Sequence, residues 1–321
     1  MDKIDIKLFH TPILNCIENI QTSVVSWKGY HHELLFSESW GFAFDSKCTD
    51  EKILLGKRID RNERSMLELF KEHYGMEINF HSEKNENMLS SIRAVLETGN
   101  PVVIGMDVFW EPWGEFYQEF HHYPNARLVV GIDEKNEVLN YYAIINSKEE
   151  LQLSFENFGN GCGMYGTFDF SGKKKDLDWK KEVRKSLSRL EGNMDTESAF
   201  DSMRHFADVL ENELDIVKEI EGYNTHTWVA PIMLNTTWVA NGRYKFAEFL
   251  KYITEHFQAD ELLDFSTLLI QAGDTWNTIN DILTKLMFVP GNRSLMSKIA
   301  SRIKEVADFE ENIATKMKGI I

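Results

Sequence analysis

Long apolar runs are missing from this sequence. No segment of the 321 residues approaches the roughly 20 consecutive apolar residues that a membrane helix needs. The opening residues, MDKIDIKLFHTP, also lack the apolar stretch of a secretory signal peptide. These two absences predict a protein that stays in the cytoplasm and makes no membrane contact.

Cysteines and cofactor motifs are scarce as well. The three cysteines, Cys16, Cys48 and Cys162, are widely spaced and form neither a disulfide framework nor a zinc-binding pattern. The sequence has no Walker loop, Rossmann glycine fingerprint or HExxH motif, and the glycine-rich residues 159–166 (GNGCGMYG) match neither a phosphate loop nor a serine elbow. It therefore predicts free thiols, no metal and no cofactor.

Basic residues are fewer than acidic ones. Lys and Arg number 35 against 51 Asp and Glu, which gives a formal net charge of -16 at pH 7. Such a charge repels phosphates and argues against general nucleic-acid binding. The same charge attracts a cationic small molecule, such as an amine.

Residue patterning divides the chain into two predicted domains. At 43% apolar residues, the composition is that of a globular protein able to bury two modest cores. Strand-like segments fill the first half and helical periodicity fills the second, so we predict an α+β domain at residues 1–172 and an all-α domain at 173–321. The strands are expected to form a mixed, largely antiparallel sheet. They cover residues 76–80, 101–108, 127–132, 138–145 and 166–170.

Apolar residues at three-to-four spacing predict the helices. In the first half, helices are expected at residues 62–74 and 87–98, each followed by a glycine at the position of a C-cap. In the second half, the predicted helices cover residues 178–191, 196–221, 243–257, 259–286 and 294–318.

The opening segment HTPILNCIENIQTSVVSWKGY places Cys16 in the first turn of a helix that runs to Trp27. Backbone N–H groups at a helix N-terminus favour an anion, so a nucleophilic thiolate is favoured at this position. The alternative interpretation is that Cys16 is a small buried apolar residue, as an isolated cysteine often is.

Several segments occur in the order typical of one family. They are Cys-x-x-Asn near the start, then LFSESWGFAFD, NPVVIGMDVFW, Tyr-x-x-Phe-His-His and RLVVGIDE. With them the first half resembles the N-terminal domain of the butirosin biosynthesis protein H family, whose papain-like fold is also similar to that of bacteriocin-processing cysteine peptidases. The segments GRYKFAEFLKYI and AGDTWNTINDIL resemble the helical C-terminal region of the same family. The resemblance spans nearly the whole chain.

The resemblance implies an acyltransferase of natural-product biosynthesis, acting in the formation of peptide or aminoglycoside antibiotics. In such a protein Cys16 attacks the phosphopantetheine thioester of an acyl carrier protein, and the acyl or aminoacyl group then passes to a small amine as an amide. An imidazole relays the proton, and an amide or carboxylate orients that imidazole. The implied partners are the carrier protein and the amine acceptor, with a possible homodimer.

The histidine position departs from the family pattern. The family's histidine falls on Asn125, which cannot act as a base, whereas the orienting position falls on Asn146, which can orient a ring. The resemblance nevertheless assigns four positions to the catalytic set: Cys16, His122, Asn125 and Asn146. Either His121 or His122, with His122 preferred, replaces the missing base, or the chain binds without turnover. A shifted alignment of this loop is the third explanation.

Other candidate site residues also follow from the resemblance. His10, six residues before Cys16, occupies the position of an oxyanion-hole donor, or it is a strand-end histidine bonded to backbone. Asp107 suits an amine, and Trp110 and Trp113 are expected either to wall the acyl channel or to pack as core. His121 is assigned to the substrate-binding residues together with these three.

A basic segment follows the first domain. Residues 173–189 hold eight Lys or Arg in an otherwise acidic chain. Two interpretations stay open: a docking face for an acidic carrier protein, or a solvated linker helix. Two other functions compete with acyl transfer: a cysteine peptidase or amidase, which needs a competent base, and a binding or scaffold protein that lacks one.

Overall fold

The computed structural model describes residues 3–50, 52–82, 87–143, 149–193, 196–223 and 226–321. It is a mixed α+β structure with an antiparallel sheet and a helical C-terminal region, which confirms the predicted fold class. The chain forms two compact units: the first comprises residues 1–35 and 65–176, and the second comprises residues 36–64 and 177–321.

The first unit combines helices and strands, and the second is mainly helical with two short paired strands. In chain order they are α1 (Cys16–Trp27), β1 (Ala43–Phe44), β2 (Ile59–Asp60), α2 (Met66–Tyr74), β3 (Glu77–His81), α3 (Met88–Glu97), β4 (Val102–Met106), β5 (Asn125–Asp133), β6 (Val138–Tyr142), β7 (Glu150–Ser154), α4 (Phe155–Gly161), β8 (Cys162–Asp169), α5 (Trp179–Leu190), α6 (Ala199–Glu213), α7 (Ile216–Ile220), α8 (Pro231–Phe257), α9 (Glu261–Phe288) and α10 (Arg293–Lys318).

One sheet organises the first unit. Six of the described strands pair antiparallel in the order β3-β8-β4-β5-β6-β7. Successive side chains of a strand point to opposite faces. Ile104 and Met106 pack into the core cluster with Ile92 of α3. Gly105 pairs with Ala126, and both point to the opposite face, where α1 packs against β5.

The sequence patterns locate most elements of this unit. α1 ends at Trp27 and holds Cys16 in its first turn, as predicted, and the predicted strands coincide with β3, β4, β5, β6 and β8 to within a few residues. The end of the predicted strand at 138–145 lies outside the described residues. β7 was not predicted. Its segment ELQLS does alternate polar and apolar residues, but it has only five residues, contains no β-branched or aromatic side chain and lies at the edge of the sheet.

The second unit contains one segment that the sequence analysis placed elsewhere. We predicted a single boundary at residue 172, but residues 36–64 pack with the helices that follow residue 176. The reason is aromatic burial: Trp40 and Phe42 are each 1% exposed. The indole N–H of Trp40 donates to a carboxylate oxygen of Glu310 at 2.7 Å. Arg243 donates to both oxygens of the same carboxylate.

Helix α8 begins twelve residues before the predicted helix at 243–257, at Pro231. The predicted helix starts directly after Asn241-Gly242, because this pair is typical of a break between helices. In the structure Gly242 is a helical residue whose added Cβ would lie 2.4 Å from the carbonyl oxygen of Ser39. Its small size therefore serves close packing rather than helix termination. None of the helices in the described part of the chain combines the length and apolarity needed to cross a bilayer.

Candidate active site

The sequence around Cys16 fixes where α1 starts. The side chain of Asn15 accepts a hydrogen bond from the backbone N–H of Glu18, and the Glu18 carboxylate accepts one from the N–H of Asn15, both at 3.0 Å. This reciprocal capping box satisfies two N–H groups that a helix end otherwise leaves without partners. Cys16 is consequently held as the first residue of the helix.

The sulfur of Cys16 has a second anion-stabilising neighbour. The backbone N–H of Ala126, near the start of β5, donates to Cys16 Sγ at 3.4 Å. The thiol is free and half-buried. An N–H donor and the N-terminal end of a helix dipole both favour negative charge at this sulfur. The position therefore suits a nucleophilic thiolate.

Cys16 lines a small apolar cavity of about 230 Å³ within the first unit. An apolar cavity of about 150 Å³ already holds a benzene molecule, so this volume accommodates a short acyl chain. A Cβ on Gly105 would lie 2.6 Å from Cγ of Met164, so glycine at this position leaves the space open. Besides Cys16, the lining residues are Ile17, Leu67, Phe80, Val103, Ile104, Gly105, Pro124, Ala126, Met164, Tyr165 and Gly166.

Asn125 does not present its side chain to the thiol. It is 4% exposed, and its amide donates to the backbone carbonyl of His122 at 2.8 Å. Strand alternation puts Asn125 on the sheet face opposite to Ala126, which is the residue beside Cys16. The assignment of Asn125 to the catalytic residues is therefore corrected: the residue that faces the cysteine at this strand is an alanine.

The neighbouring histidines differ in their surroundings. His121 Nδ1 lies 2.7 Å from Asp107 Oδ2, and its ring stacks on Phe109 with centroids 4.0 Å apart. His122 stacks on Phe120 at 6.2 Å. Within the described residues, no imidazole hydrogen-bonds to Cys16 Sγ. The structure therefore gives a carboxylate partner to His121 rather than to His122, which the sequence analysis preferred.

Asp107 is held in place from three sides. Its Oδ1 accepts hydrogen bonds from the backbone N–H groups of Phe109 and His122, and its Oδ2 faces His121. Partial burial favours the neutral acid, but the hydrogen bonds from these three residues outweigh it and hold the pKa of Asp107 below its ordinary value. Asp107 is thus a carboxylate that orients His121.

The two tryptophans lie away from the cavity. Trp110 and Trp113 pack against the core cluster of the other sheet face, and the indole N–H of Trp113 donates to the hydroxyl of Tyr141 at 2.5 Å. Their assignment as walls of the acyl channel is corrected for this reason. Burial, together with the negative charge of Glu111, raises the pKa of the Tyr141 hydroxyl above its ordinary value.

A buried ion pair between Arg127 and Glu111 supports the strand residue that contacts the thiol, and it was not predicted from the sequence. Arg127 is 3% exposed and Glu111 1%. Two guanidinium nitrogens of Arg127 donate to the two carboxylate oxygens of Glu111, each at 2.7 Å. A third nitrogen donates to the carbonyl of Ala126 at 3.0 Å. This pair therefore fixes the residue whose N–H contacts Cys16.

Of the remaining candidates, His10 lies beside the helix rather than at the cavity. The N–H of Phe9 donates to Ser23 and that of Thr11 donates to Asn19, which holds the backbone around His10 against the middle of α1. Asn146 lies outside the described residues.

The basic segment is divided between the two units. In the first unit, Lys174 lies over the ring of Tyr30, 4.9 Å from its centroid. In the second unit, Lys185 pairs with the buried carboxylate of Glu38 at 2.6 Å. Some of these cations thus have partners within their own unit. Docking of a carrier protein on this segment stays a prediction.

No metal-binding group of three or more His, Cys, Asp or Glu side chains is found in the parts of the chain that the structure covers.

A scan against protein-family models finds no match, and a search of curated proteins finds none either.

Proposed function

We propose that the protein is a cysteine-dependent acyltransferase that accepts an acyl group from a thioester on Cys16 and passes it to an amine. The observation that carries the proposal is the position of the thiol. It lies at the first residue of α1, accepts a hydrogen bond from Ala126 and opens into an apolar cavity. A nucleophile beside a space for an apolar chain is the arrangement that acyl transfer needs.

In the first step, the thiolate of Cys16 attacks the carbonyl carbon of the donor thioester. A new carbon–sulfur bond forms to Cys16, the bond to the donor sulfur breaks, and the donor leaves as a thiolate. One thiolate replaces another, so the step needs no general acid. This matters because no imidazole among the described residues hydrogen-bonds to the Cys16 sulfur.

The same geometry disfavours a peptidase or amidase. The leaving group of an amide is an amine, and its nitrogen must be protonated by a positioned acid as the carbon–nitrogen bond breaks. Asn125, at the position of the family's histidine, bonds to a backbone carbonyl and lies on the other face of the sheet. A thioester donor is therefore the better substrate for Cys16.

In the second step, an amine attacks the acyl–Cys16 thioester and must lose a proton. The pair of His121 and Asp107 is the base that we assign to this step. Asp107 follows β4 by one residue and lies two residues beyond Gly105, the partner of Ala126. At about 3.3 Å per residue, Asp107 is about 7 Å along the strand direction from Gly105, whose partner Ala126 is the residue beside Cys16. His121 Nδ1 faces Asp107, which leaves Nε2 to take the proton.

The donor class proposed is the phosphopantetheine thioester of an acyl carrier protein, and the acceptor is a small amine of natural-product biosynthesis. The negative charge of the chain favours a cationic acceptor. Both reactants are cytoplasmic molecules, so the proposal places the protein in the cytoplasm.

Amide formation tests this function. Purified protein is incubated with acyl N-acetylcysteamine thioesters and primary amines, and the amide is quantified by mass spectrometry. We expect formation above the uncatalysed background for the wild type and none for Cys16→Ala. Full activity in Cys16→Ala would rule out the covalent route.

A binding protein without turnover is the second candidate. The observation that favours it is the residue beside Cys16 on β5. This residue is Ala126, which cannot act as a general base. Such a protein would bind apolar ligands in the cavity and would form no amide with any acyl donor.

A further inference from the structure

The cavity beside the thiol extends across neighbouring strands of the sheet. Ala126 of β5 pairs with Gly105 of β4. Gly166 of β8 pairs with Val103 of β4 on one side and with Phe80 of β3 on the other. Paired residues of neighbouring strands point to the same face, as do residues two apart on one strand. All of these residues line the cavity, so it runs from the thiol at β5 to Phe80 at β3.

The strand spacing and the volume set the length of chain that fits. Neighbouring strands lie about 4.8 Å apart, so the steps from β5 through β4 and β8 to β3 cover about 14 Å. The cavity volume of about 230 Å³ is about one and a half times that of an apolar cavity that holds benzene. Because benzene has six carbons, a chain of about eight carbons fills the space.

Apolar side chains surround this space. A Cβ on Gly105 would lie 2.6 Å from Cγ of Met164. A Cβ on Gly166 would lie 3.1 Å from Cδ1 of Phe80. Both side chains thus lie over a glycine on the cavity side of the sheet, whereas the ring of Tyr165 packs into the core cluster of the opposite face. Of the described residues around the cavity, the cysteine alone brings a polar side-chain atom to it.

The backbone beneath the cavity has its hydrogen bonds within the sheet. β4 pairs with β5 on one side and with β8 on the other, and β8 also pairs with β3. The backbone N–H of Ala126 already donates to the thiol. A hydroxyl or ammonium group on a bound chain would therefore lose its water and gain no partner from the described lining, at a cost in free energy.

From these observations we infer that the acyl group taken up by Cys16 is an unsubstituted apolar chain of about eight carbons. Aminoacyl and hydroxyacyl groups of the same length are excluded. The inference rests on the proposed function for the acyl linkage to Cys16, but selection by the cavity requires only binding. The acyl carbonyl lies at the thiol, and the methylene groups extend across β4 and β8 toward Phe80.

Two matched thioesters test the selection by polarity. The N-acetylcysteamine thioesters of octanoic acid and 7-hydroxyheptanoic acid differ in a terminal methyl against a hydroxyl group. We expect the wild type to be acylated at least about tenfold faster by the octanoyl donor, since a hydroxyl buried without a partner is strongly disfavoured. Equal rates, or a faster reaction with the hydroxylated donor, would overturn the inference.

A series of chain lengths tests the selection by size. The rate of acylation should rise from the butanoyl to the octanoyl thioester, because each added methylene buries more apolar surface. It should rise no further for the dodecanoyl thioester, whose chain exceeds the cavity volume. A continued rise up to dodecanoyl would overturn the assigned chain length.

A polar substitution in the lining should remove the selection. Met164→Gln places a carboxamide on the cavity side of β8, at a half-buried position. Since the carboxamide can pair with the ligand hydroxyl, the preference for octanoyl should fall to about twofold or less. Met164→Leu is the matched apolar control and should keep the wild-type preference. Leu67→Gln, at a position 37% exposed, is a second polar variant of the lining. An unchanged preference in both polar variants would overturn the inference.

A binding measurement separates failure of this inference from failure of the proposed function. N-propyl amides of octanoic and 7-hydroxyheptanoic acid do not acylate a thiol, and calorimetry gives their dissociation constants. Tighter binding of the octanoyl amide to the wild type, with the preference lost in Met164→Gln and no acylation by either thioester, would retain the selection and reject the transferase. Equal binding of the two amides to the wild type would overturn the selection whether or not the thioesters react.

Discussion

The backbone N–H of Ala126 lies 3.4 Å from the sulfur of Cys16 and donates a hydrogen bond to it. This contact sets the start of β5 against the first residue of α1. It also determines which strand residue faces the thiol: Ala126 does, and Asn125 and Arg127 point to the other face of the sheet. The nucleophile is therefore supported by backbone and helix dipole rather than by an adjacent imidazole.

Replacing Asp107 by Asn tests the assigned base. The asparagine oxygen can still accept from the backbone N–H groups of Phe109 and His122, but the amide nitrogen cannot accept from His121. We expect aminolysis of acyl–Cys16 to slow by about 100-fold, a typical contribution of a general base. Acylation of Cys16 should stay within about twofold of wild type, because that step needs no base.

His122→Gln is the control for this experiment and should leave both steps unchanged. Rapid quench followed by mass spectrometry follows the two steps separately. If His122→Gln slows aminolysis while Asp107→Asn does not, the base has been assigned to the wrong histidine.

Acidification should reveal the contribution of Asp107 to folding. Its pKa is below its ordinary value in the folded protein, so its stabilisation is complete above the unfolded-state pKa of about 3.9 and is lost as the pH falls through the lowered folded-state value. The stabilisation that comes from the lowered pKa of Asp107 should thus be lost as the pH falls below about 4, so the stability difference between wild type and Asp107→Asn should shrink there. Urea unfolding at a series of pH values measures it, and a pH-independent difference would argue against the hydrogen-bonded carboxylate.

The buried pair of Arg127 and Glu111 should be far more sensitive to single than to double substitution. Arg127→Met or Glu111→Leu leaves a buried charge without its partner, and we expect each to lower the free energy of unfolding by about 3–5 kcal/mol. The double variant should be less destabilised than the sum of the two, because no charge remains buried. Urea denaturation of the wild type, the two single variants and the double variant gives the four free energies of unfolding that a double-mutant cycle needs. Additive effects would mean that the two side chains do not interact.

Loss of the Asn15 cap should affect both stability and the thiol. Asn15→Ala removes the side-chain acceptor for the N–H of Glu18, and such a change typically costs about 1 kcal/mol. Fraying of the first turn should also slow acylation of Cys16, since the helix N-terminus supports its thiolate. Ser198→Ala, which removes the cap of α6 in the other unit, should lower stability without slowing acylation. Equal rates for both variants would count against a role for the helix end.

The sequence predicted those parts of the structure that local patterns encode. The spacing of polar and apolar residues located α1 with Cys16 at its start, as well as five strands of the sheet. Two kinds of feature could not be predicted this way. The pairing of Arg127 with Glu111 joins residues 16 apart whose partnership depends on the fold, and the burial of Trp40 depends on Glu310, 270 residues away.

The choice between the two histidines was beyond sequence reasoning for a related reason. His121 and His122 are adjacent in the sequence, and only the loop conformation that follows β4 turns His121 toward Asp107. The cavity likewise combines residues from α1, α2 and several strands. Its volume arises from the packing of these elements, and no single motif encodes it.

Intact-mass measurement after incubation with acyl N-acetylcysteamine thioesters tests the central claim most directly. The wild type and Cys48→Ala, which retains Cys16, should each gain the mass of one acyl group. Cys16→Ala should gain none. An equal adduct on Cys16→Ala, or no adduct on the wild type across a broad panel of donors, would contradict the assignment of Cys16 as the acyl-accepting nucleophile.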